Sequence, residues 1–487
     1  MRVVSFRIAA MLLASAVTAL SQTPKAEPLK KVDQSTIQRL ERDIPELLRK
    51  GNVPGLSMAL IRNGKTYWAH GFGVKNAKTK QAVTVETVFE AASLSKPVFA
   101  YGVLKLVDEG KLDLDTPLTK YLPGSYDVKD DDRINQITAR FVLSHRTGFR
   151  NWRNNQPLNI YFTPGERFSY SGEGFVYLSK VVEKITGEPF NDWMTKTVFQ
   201  PLGMTSSSYL WRPDYEERAA TGHDADRQVR QKGKPNQVNA AASLHTTASD
   251  YARFMEAVMN GTGLKPATWK QMLTPQVAVD PECTNCTDRA PKQRSKEVLW
   301  GLGVGIENTP NGETFWHWGD NGAFKAFMIA YPRHKTGLVM FANSENGLSI
   351  HTEIVEEALG GQHPAFAWAK YDDYNSPAFR FYATVKEKGA AAGIAEFRDL
   401  LKTDTISESS MNSLGYRLLG QEKFDEAIRI FTLNVERFPN SGNVYDSLAE
   451  AYMNKGDKEA AIKNYEKSLE LDPKNSGAVE MLKKLRK

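Results

Sequence analysis

Ser93 and Lys96 are three residues apart in the stretch Val88-Phe89-Glu90-Ala91-Ala92-Ser93-Leu94-Ser95-Lys96-Pro97. If both lie on one helix, they are one turn apart on the same face. A serine hydroxyl is a weak nucleophile until a neighbouring group takes its proton, and a lysine amine can do so when burial disfavours its charged form. The spacing therefore indicates a nucleophile, Ser93, activated by Lys96 for acyl transfer. The alternative is a helix N-cap serine followed by a surface lysine, because Ser-x-x-Lys alone is a weak signal.

Tyr170 is a second candidate for proton transfer, in the glycine-flanked loop that precedes an apolar helix. A tyrosine in such a loop is commonly half-buried packing. Beside a lysine ammonium, however, its phenol would lose its proton more easily than its reference pKa of about 10 suggests, and could act as a general base or acid. Ser144 and His145 also suggest a nucleophile and a base, but adjacent residues on a helix do not face each other. We therefore expect His145 to be a hydrogen-bonded structural residue at a helix end.

The two cysteines of the chain, Cys283 and Cys286, form the sequence Cys-Thr-Asn-Cys. One such pair is half of a zinc site, and no second pair completes it, so we predict no metal site. In an oxidising compartment the pair is typical of a local disulfide that pins a polar loop. A redox role is the remaining alternative, although no βαβ pattern surrounds the pair.

The elements that must position these residues follow from the hydrophobic pattern. An amphipathic helix precedes residue 54, and Asn63-Gly64 between two apolar runs predicts an antiparallel hairpin. The apolar positions after Ser93 predict a buried helix that ends near Gly110. Between about residues 300 and 345, short apolar runs joined by tight turns predict an antiparallel sheet, and one of these runs carries His317-Trp318-Gly319-Asp320.

Three motifs in this order resemble the serine hydrolases built on the class C β-lactamase and penicillin-binding fold: Ser93-x-x-Lys96, Tyr170-Ser171-Gly172 and His317-Trp318-Gly319. The resemblance covers about residues 34 to 360. It implies an α+β fold with a five-stranded antiparallel sheet made from the two ends of this region. Helices flank that sheet, an all-helical part is inserted, and the active site lies between the two parts.

The resemblance also implies a role for each motif. Ser93 is the acylated nucleophile, and Lys96 and Tyr170 share the proton transfers. His317 begins the third motif on the strand that edges the cleft, and Gly172, Trp318 and Gly319 contact the substrate. The backbone N–H groups of Ser93 and Asp320 form the oxyanion hole, which is worth about 3 kcal/mol per donor in such sites.

Two positions depart from the family pattern. The second motif usually ends in asparagine, and Gly172 removes an amide that helps to hold the lysine and the substrate. The third motif begins with lysine in β-lactamases, whereas His317 is largely neutral at pH 7. These departures favour the esterase and D-aminopeptidase branches over a true β-lactamase. The literal string Lys335-Thr336-Gly337 follows Tyr331-Pro332 and precedes an apolar run, which predicts a turn away from the cleft.

Composition and the N-terminus indicate where the protein acts. The 63 basic and 57 acidic residues are too evenly balanced to indicate binding to nucleic acid or to an anionic membrane. Residues 1–21 combine Arg2 and Arg7, a short apolar run and a small-residue cleavage site, which is typical of a secretory signal. We therefore expect an exported, periplasmic or secreted protein with no membrane span after signal removal. An N-terminal membrane anchor is the alternative.

The C-terminal region repeats itself with a period of 34 residues, as five pairs show: Leu414 and Leu448, Gly415 and Ala449, Ala427 and Ala461, Phe431 and Tyr465, Pro439 and Pro473. This is the pattern of tetratricopeptide helix pairs, and plain helix-bundle packing is the alternative. Two repeats fall short of the three needed for independent stability, so we expect them to pack on residues 376–402 or on the preceding domain.

The sequence thus predicts four segments: a signal peptide at 1–21, a β-lactamase-like hydrolase domain at 22–365, a helical linker at 366–407 and all-α tetratricopeptide repeats at 408–487. We expect a serine hydrolase that cleaves an ester or amide of a small-molecule or peptide substrate without a cofactor. A protein or peptide partner could bind the repeats. The alternative is a catalytically weak, penicillin-binding-like sensor or scaffold whose repeats recruit that partner.

Overall fold

The computed structural model describes residues 28–124, 126–154, 156–403 and 405–486, so the predicted signal peptide at residues 1–21 lies outside them. Within these ranges the strands are β1 (Gly55–Arg62), β2 (Lys65–Gly73), β3 (Phe89–Glu90), β4 (His245–Thr246), β5 (Val277–Ala278), β6 (Val298–Trp300), β7 (Gly305–Thr309), β8 (Gly312–Asp320), β9 (Lys325–Tyr331) and β10 (Thr336–Ala342).

The main sheet is antiparallel and has the strand order β2-β1-β10-β9-β8-β7-β6-β5. The α+β fold class is confirmed, but the predicted number of five strands is wrong, since this sheet has eight among the described residues. The additional edge is formed by β5, β6 and β7, of which β5 and β6 have two and three residues. Runs this short contain too few residues for a readable alternation of apolar and polar side chains.

Both faces of the sheet are covered by helices. Along β1, Leu56, Met58 and Leu60 point to one face, while Ala59 and Ile61 point to the other, and all five are buried. The period of two along a strand sends alternate side chains to opposite faces, so a strand covered on both sides is apolar throughout. This explains why the central strands are continuous hydrophobic runs in the sequence.

The helices that surround this sheet are α1 (Gln34–Lys50), α2 (Ser95–Asp108), α3 (Ala139–Leu143), α4 (Glu173–Thr186), α5 (Phe190–Met194), α6 (Gln200–Leu202), α7 (Tyr215–Arg218), α8 (Ala248–Asn260), α9 (Pro266–Met272), α10 (His351–Ala358) and α11 (Pro364–Ala369). Helices α1 and α10 pack on one face, and α2, α4 and α8 contribute to the core on the other. Together with the strands they form the N-terminal region, which a connecting segment (residues 370–376) follows.

The repeat region, from residue 377 onward, contains α12 (Pro377–Lys388), α13 (Ala390–Glu396), α14 (Glu408–Gly420), α15 (Phe424–Arg437), α16 (Gly442–Lys455), α17 (Lys458–Leu471) and α18 (Ser476–Leu485). Helices α14 to α17 are the two predicted pairs. In addition, α12 and α13 pair with each other and share one hydrophobic core with α14 and α15. A Cβ on Gly393 would lie 2.5 Å from the Val385 side chain, so these two helices approach closely.

This third pair supplies the support that two repeats need, because each helix pair buries its apolar face against the next. A sequence signal for it exists, since Gly393 and Phe397 lie 34 residues before Ala427 and Phe431. The boundaries predicted at residues 365 and 407 stay predictions.

Asp226 joins the repeat region to the N-terminal region. Its carboxylate accepts hydrogen bonds from Tyr382 (2.5 Å) and Gln421 (2.6 Å) and forms an ion pair with Lys386 (2.6 Å). Helices α12 and α14 therefore face the N-terminal region. None of the helices in the described part of the chain combines the length and the apolar character of a membrane span.

Candidate active site

Ser93 lies on a short 3₁₀ turn, Ala92–Leu94, that leads directly into α2. The preceding residue, Ala92, is fully buried and has a φ of 48°, in the left-handed region that costs a residue with a side chain roughly 1–3 kcal/mol. Such a conformation persists only when the surrounding packing enforces it. The turn leaves Ser93 half-buried at the N-terminal end of a helix that is otherwise buried over most of its length.

Lys96 is completely buried, and its Nζ lies 2.9 Å from Ser93 Oγ and 3.0 Å from the carbonyl oxygen of Ala241. The two side chains predicted as nucleophile and base are therefore adjacent. Burial lowers the pKa of Lys96 well below its usual value, because a desolvated ammonium is costly. The structure thus favours a neutral amine next to the serine hydroxyl, which is the form able to accept its proton.

Three aromatic rings surround this amine. Lys96 Nζ is 4.7 Å from the ring centre of Tyr170, 5.8 Å from that of Phe175 and 5.9 Å from that of Trp152. Ring faces attract a cation within about 6 Å. They would stabilise the ammonium that forms when Lys96 takes a proton, although desolvation disfavours that ammonium in the resting site.

Tyr170, the first residue of the second predicted motif, is buried with its ring centre 4.9 Å from that of Trp318 in the third motif. Burial raises the pKa of Tyr170, and the nearby Ser93 hydroxyl acts in the opposite direction. The expectation that Tyr170 loses its proton easily is therefore wrong, because desolvation outweighs any help from a lysine that is itself neutral. The phenol is protonated in the resting site and is placed to act first as a proton donor.

His145 lies just after α3, where its Nδ1 accepts a hydrogen bond of 3.0 Å from the backbone N–H of Ser171. Its ring stacks on Tyr170 with the centres 4.2 Å apart. Burial lowers the pKa of His145 well below its usual value, and a proton on Lys96 would act in the same direction. His145 is thus a neutral residue that holds the second motif, and Ser144 donates to the Arg140 carbonyl rather than to His145.

His317 is fully buried in β8, and its Nδ1 is 2.6 Å from the carbonyl oxygen of Trp318. Burial lowers the pKa of His317 to about 3, and a proton on Lys96 would act in the same direction. The imidazole is therefore uncharged across the physiological range. It cannot anchor a carboxylate by charge as a lysine in the third motif would.

Gly319 brings β8 against the turn that carries the serine. A Cβ on Gly319 would lie 2.5 Å from the Ala91 carbonyl oxygen and 3.2 Å from the Ala92 Cβ. This close approach is possible only without a side chain. It puts Asp320, the next residue, beside the turn of Ser93, as the proposed oxyanion hole requires.

Asp320 is also held by two residues that the sequence did not single out. Its carboxylate accepts a hydrogen bond from the Tyr371 hydroxyl (2.9 Å) and forms an ion pair with Lys325. Burial and the charge of Asp320 raise the pKa of Tyr371, so this phenol stays protonated as a donor. Tyr371 belongs to the connecting segment, whose pattern gave no sign that it reaches the active site.

Gly172 faces Trp152, which takes up the space of the expected asparagine side chain. A Cβ on Gly172 would lie only 2.3 Å from the Trp152 ring. The amide that the family places here is thus replaced by an indole. The Ala241 carbonyl serves as the polar partner of Lys96. Neither the Trp152 indole nor the Ala241 carbonyl could be predicted at this place from the sequence, because both come from loops that are distant along the chain.

A disulfide joins Cys283 and Cys286. The carbonyl oxygen of Thr284, between them, accepts a 2.9 Å hydrogen bond from the backbone N–H of Tyr170. Arg167 Nε is 3.4 Å from the Cys286 carbonyl oxygen. The loop closed by the disulfide therefore supports the backbone that carries Tyr170.

Two further predictions concern groups outside this centre. Lys335 ends the turn between β9 and β10, where its Nζ donates to the Met259 carbonyl at 2.7 Å, and Thr336 and Gly337 begin β10. The string Lys335-Thr336-Gly337 thus lies at a turn that joins two strands, as predicted. Across the four described ranges, no three His, Cys, Asp or Glu side chains lie close enough together to hold a metal ion.

Comparison with known proteins identifies related sequences for both regions. Residues 37–359 match the family described as Beta-lactamase, and residues 442–475 match the Tetratricopeptide repeat. Protein flp of Staphylococcus aureus (strain N315) is 23% identical over 327 residues, which are 63% of this chain and 63% of that protein. This chain thus matches less than two thirds of the length of protein flp. Penicillin-binding protein 4* of Bacillus subtilis (strain 168) is 24% identical over 333 residues, 61% of this chain and 69% of that protein.

Two solved structures share the fold. The octameric penicillin-binding protein homologue from Pyrococcus abyssi has a TM-score of 0.55 and 22% identity, over 72% of this chain and 82% of that one. D-alanine carboxypeptidase AmpC from Burkholderia cenocepacia has a TM-score of 0.55 and 20% identity, over 66% of this chain and 98% of that one. These matches confirm the resemblance inferred from the three motifs.

Proposed function

The chain belongs to the beta-lactamase family, and we propose that it is a serine hydrolase that cleaves an ester or amide through an acyl-enzyme on Ser93. The observation that carries this proposal is the 2.9 Å contact between Ser93 Oγ and the buried Nζ of Lys96. A desolvated lysine amine beside a half-exposed serine hydroxyl is the arrangement that nucleophilic catalysis needs. A structural N-cap serine would gain nothing from a fully buried lysine.

The proton transfers follow from the two shifted pKa values. Ser93 Oγ attacks the carbonyl carbon while its proton passes to the neutral Lys96 amine. The protonated Tyr170 phenol then donates its proton to the leaving oxygen or nitrogen, and the Lys96 ammonium restores that proton. Water resolves the acyl-enzyme by the same transfers in reverse, which returns Ser93 to its hydroxyl form. The backbone N–H groups of Ser93 and Asp320 stabilise the oxyanion in both steps.

The substrate class follows from the charges near the nucleophile. His317 is uncharged, and Trp152 and Trp318 make the walls aromatic. A site of this kind suits the acyl group of an ester or of a peptide-like amide better than a β-lactam carboxylate. We therefore propose esterase, D-aminopeptidase or peptidase-like activity rather than antibiotic hydrolysis. The names of the related penicillin-binding protein and D-alanine carboxypeptidase are consistent with a peptide-like substrate.

A second candidate is a penicillin-binding-like sensor that is acylated but turns over poorly, with the repeats recruiting a protein partner. The observation that favours it is the replacement of the expected asparagine by Gly172 and Trp152. Without that amide, an acyl-enzyme could form and persist. For either function, we propose export to the periplasm or the medium on the basis of residues 1–21.

The experiment is steady-state kinetics of the purified protein on four substrates: 4-nitrophenyl butyrate, D-alanine nitroanilide, an N-acylated D-alanyl-D-alanine peptide and a penicillin. Tyr170→Phe should lower kcat by about 10²–10⁴, the usual contribution of a positioned acid or base. Tyr67→Phe, an exposed tyrosine, is the matched control and should leave kcat unchanged. Rapid covalent labelling without turnover would select the sensor, and equal rates for both variants would contradict the role of Tyr170.

A further inference from the structure

A cleft of about 690 Å³ lies between the N-terminal region and helix α14. One wall includes Lys325, at the start of β9, and Tyr371 of the connecting segment. The opposite wall includes Ser409, Ser413 and Arg417 of α14, the first helix of the predicted repeats. A volume of this size is within the range of pockets that bind small organic ligands and short peptides.

The cleft adjoins the catalytic centre through Asp320. Lys325 and Tyr371 both line the cleft, and both bind the Asp320 carboxylate. Asp320 follows Gly319, whose Cα packs against the turn that carries Ser93. Tyr371 therefore lies on the cleft wall and also within hydrogen-bond distance of Asp320, whose backbone N–H is predicted to line the oxyanion hole.

Hydroxyl residues form one part of the cleft lining, beside apolar side chains such as Leu348 and Phe366. Its hydroxyl residues are Ser349, Ser407, Ser409, Ser410, Ser413, Tyr371 and Tyr382. Each hydroxyl can both donate and accept a hydrogen bond, which suits the alternating N–H and C=O groups of a peptide chain. The charged side chains of the lining are largely paired, since Lys325 binds Asp320 and Arg417 binds Glu345. Only Lys370 and Asp372 remain, so the cleft has no net charge and suits the uncharged backbone of a peptide chain.

Direct side-chain contacts connect the two walls of the cleft. Arg417 forms an ion pair with Glu345 at 3.0 Å, and its guanidinium lies 4.6 Å from the ring centre of Tyr382. Ser410 donates to Asp372 at 3.0 Å. These contacts join α14 to both the N-terminal region and the connecting segment. The cleft is therefore formed before any substrate arrives.

We propose that this cleft binds the peptide portion of the substrate, so that helix α14 is a wall of an extended substrate site. The inference rests on the proposed hydrolase function and names its substrate class: a peptide chain that extends several residues beyond the acyl group at Ser93. The first repeat helix then selects substrates by length.

The test compares substrates of two lengths on one folded protein. The chain has no cysteine outside the Cys283–Cys286 disulfide, so Ser413→Cys introduces one reactive thiol at an exposed position in the cleft. The purified variant is assayed before and after reaction with a bulky maleimide. The probes are single-residue and tetrapeptide substrates that extend on either side of the scissile bond. Ser476→Cys, on exposed α18, is the matched control.

Before labelling, kcat/KM should be at least 10-fold higher for a tetrapeptide than for its single-residue counterpart. Labelling of Ser413→Cys should reduce that ratio at least 5-fold, whereas labelling of Ser476→Cys should leave it unchanged. No length preference, an unchanged ratio after labelling, or a preference for glycan chains over peptides would overturn the inference. Failure of the unmodified parent to turn over any substrate of either length would instead contradict the proposed hydrolase function.

Discussion

One added methyl group at residue 172 tests whether Trp152 has taken the place of the expected amide. A Cβ at this position would lie 2.3 Å, 2.6 Å and 2.7 Å from three carbons of the Trp152 ring. The backbone of Gly172 has φ −79° and ψ −32°, which any residue can adopt. The effect of Gly172→Ala is therefore steric and carries no backbone penalty.

The magnitude follows from two opposing terms. Overpacking a filled site costs about 1–3 kcal/mol, whereas glycine to alanine at a compatible backbone position gains about 0.4–1 kcal/mol. Gly172→Ala should thus lower the free energy of unfolding by up to about 2.6 kcal/mol. Gly420→Ala is the matched control, since a Cβ there meets nothing within 4 Å. It should be neutral or slightly stabilising.

The assay is calorimetric unfolding together with ester kinetics for Gly172→Ala, Trp152→Ala and the double variant. Displacement of the Trp152 ring from the lysine should reduce kcat of Gly172→Ala at least severalfold. In the double variant the clash is gone, so the two substitutions should couple by about 1–3 kcal/mol. The reasoning is refuted if Gly172→Ala is as stable as Gly420→Ala, or if its penalty persists in the double variant.

Three other perturbations have defined outcomes. Lys96→Met should abolish ester turnover because the nucleophile loses its base, yet its calorimetric melting temperature near pH 7 should not fall. A buried lysine with a lowered pKa binds its proton more weakly than the unfolded chain does, which destabilises the fold below pH about 10. Reduction of the Cys283–Cys286 disulfide should lower kcat severalfold with an unchanged circular dichroism spectrum, since the loop supports the backbone of Tyr170. Asp226→Asn should speed proteolytic release of the repeat region, measured by gel electrophoresis.

The pH dependence of the Asp226 contact follows from its pKa. Burial acts to raise that pKa, but the bonds from Lys386 and Tyr382 lower it overall. A depressed carboxyl pKa contributes stability that is present above about pH 4 and is lost as the pH falls through the folded-state pKa. The parent should therefore resist release at pH 5 and become sensitive in stronger acid. Sensitivity that rises with increasing pH would contradict this assignment.

For the other two perturbations, the contradicting results are equally direct. A Lys96→Met variant that retains ester turnover would show that another group activates the nucleophile. A disulfide whose reduction leaves kcat unchanged would show that the loop does not position Tyr170.

The sequence predicted the parts of the site that depend on local spacing. Ser93 and Lys96 meet because three residues make one helical turn, and the hairpin and central strands follow from their apolar runs. The 34-residue period of matching leucine, small, aromatic and proline positions also predicted the C-terminal helix pairs. The helical turn and the apolar runs are encoded within a few residues, and the repeats are encoded by the recurrence of one pattern, so the sequence alone is sufficient to predict them.

The remaining features depend on contacts between distant segments. Trp152 meets Gly172 across a loop, Ala241 reaches Lys96 from another, and Tyr371 arrives from the connecting segment. The pKa of Tyr170 was misjudged because it depends on burial, which no spacing reveals. The strands β5 and β6 were missed because they are too short to show a period.

The most direct test of the account is intact-mass spectrometry of the parent and of Ser93→Ala after brief incubation with a nitrophenyl ester. The parent should gain the mass of one acyl group, and fragmentation should locate that group on Ser93. The Ser93→Ala variant should gain nothing and release no nitrophenol above background. An adduct of the same mass on Ser93→Ala, or on another residue of the parent, would contradict the central claim.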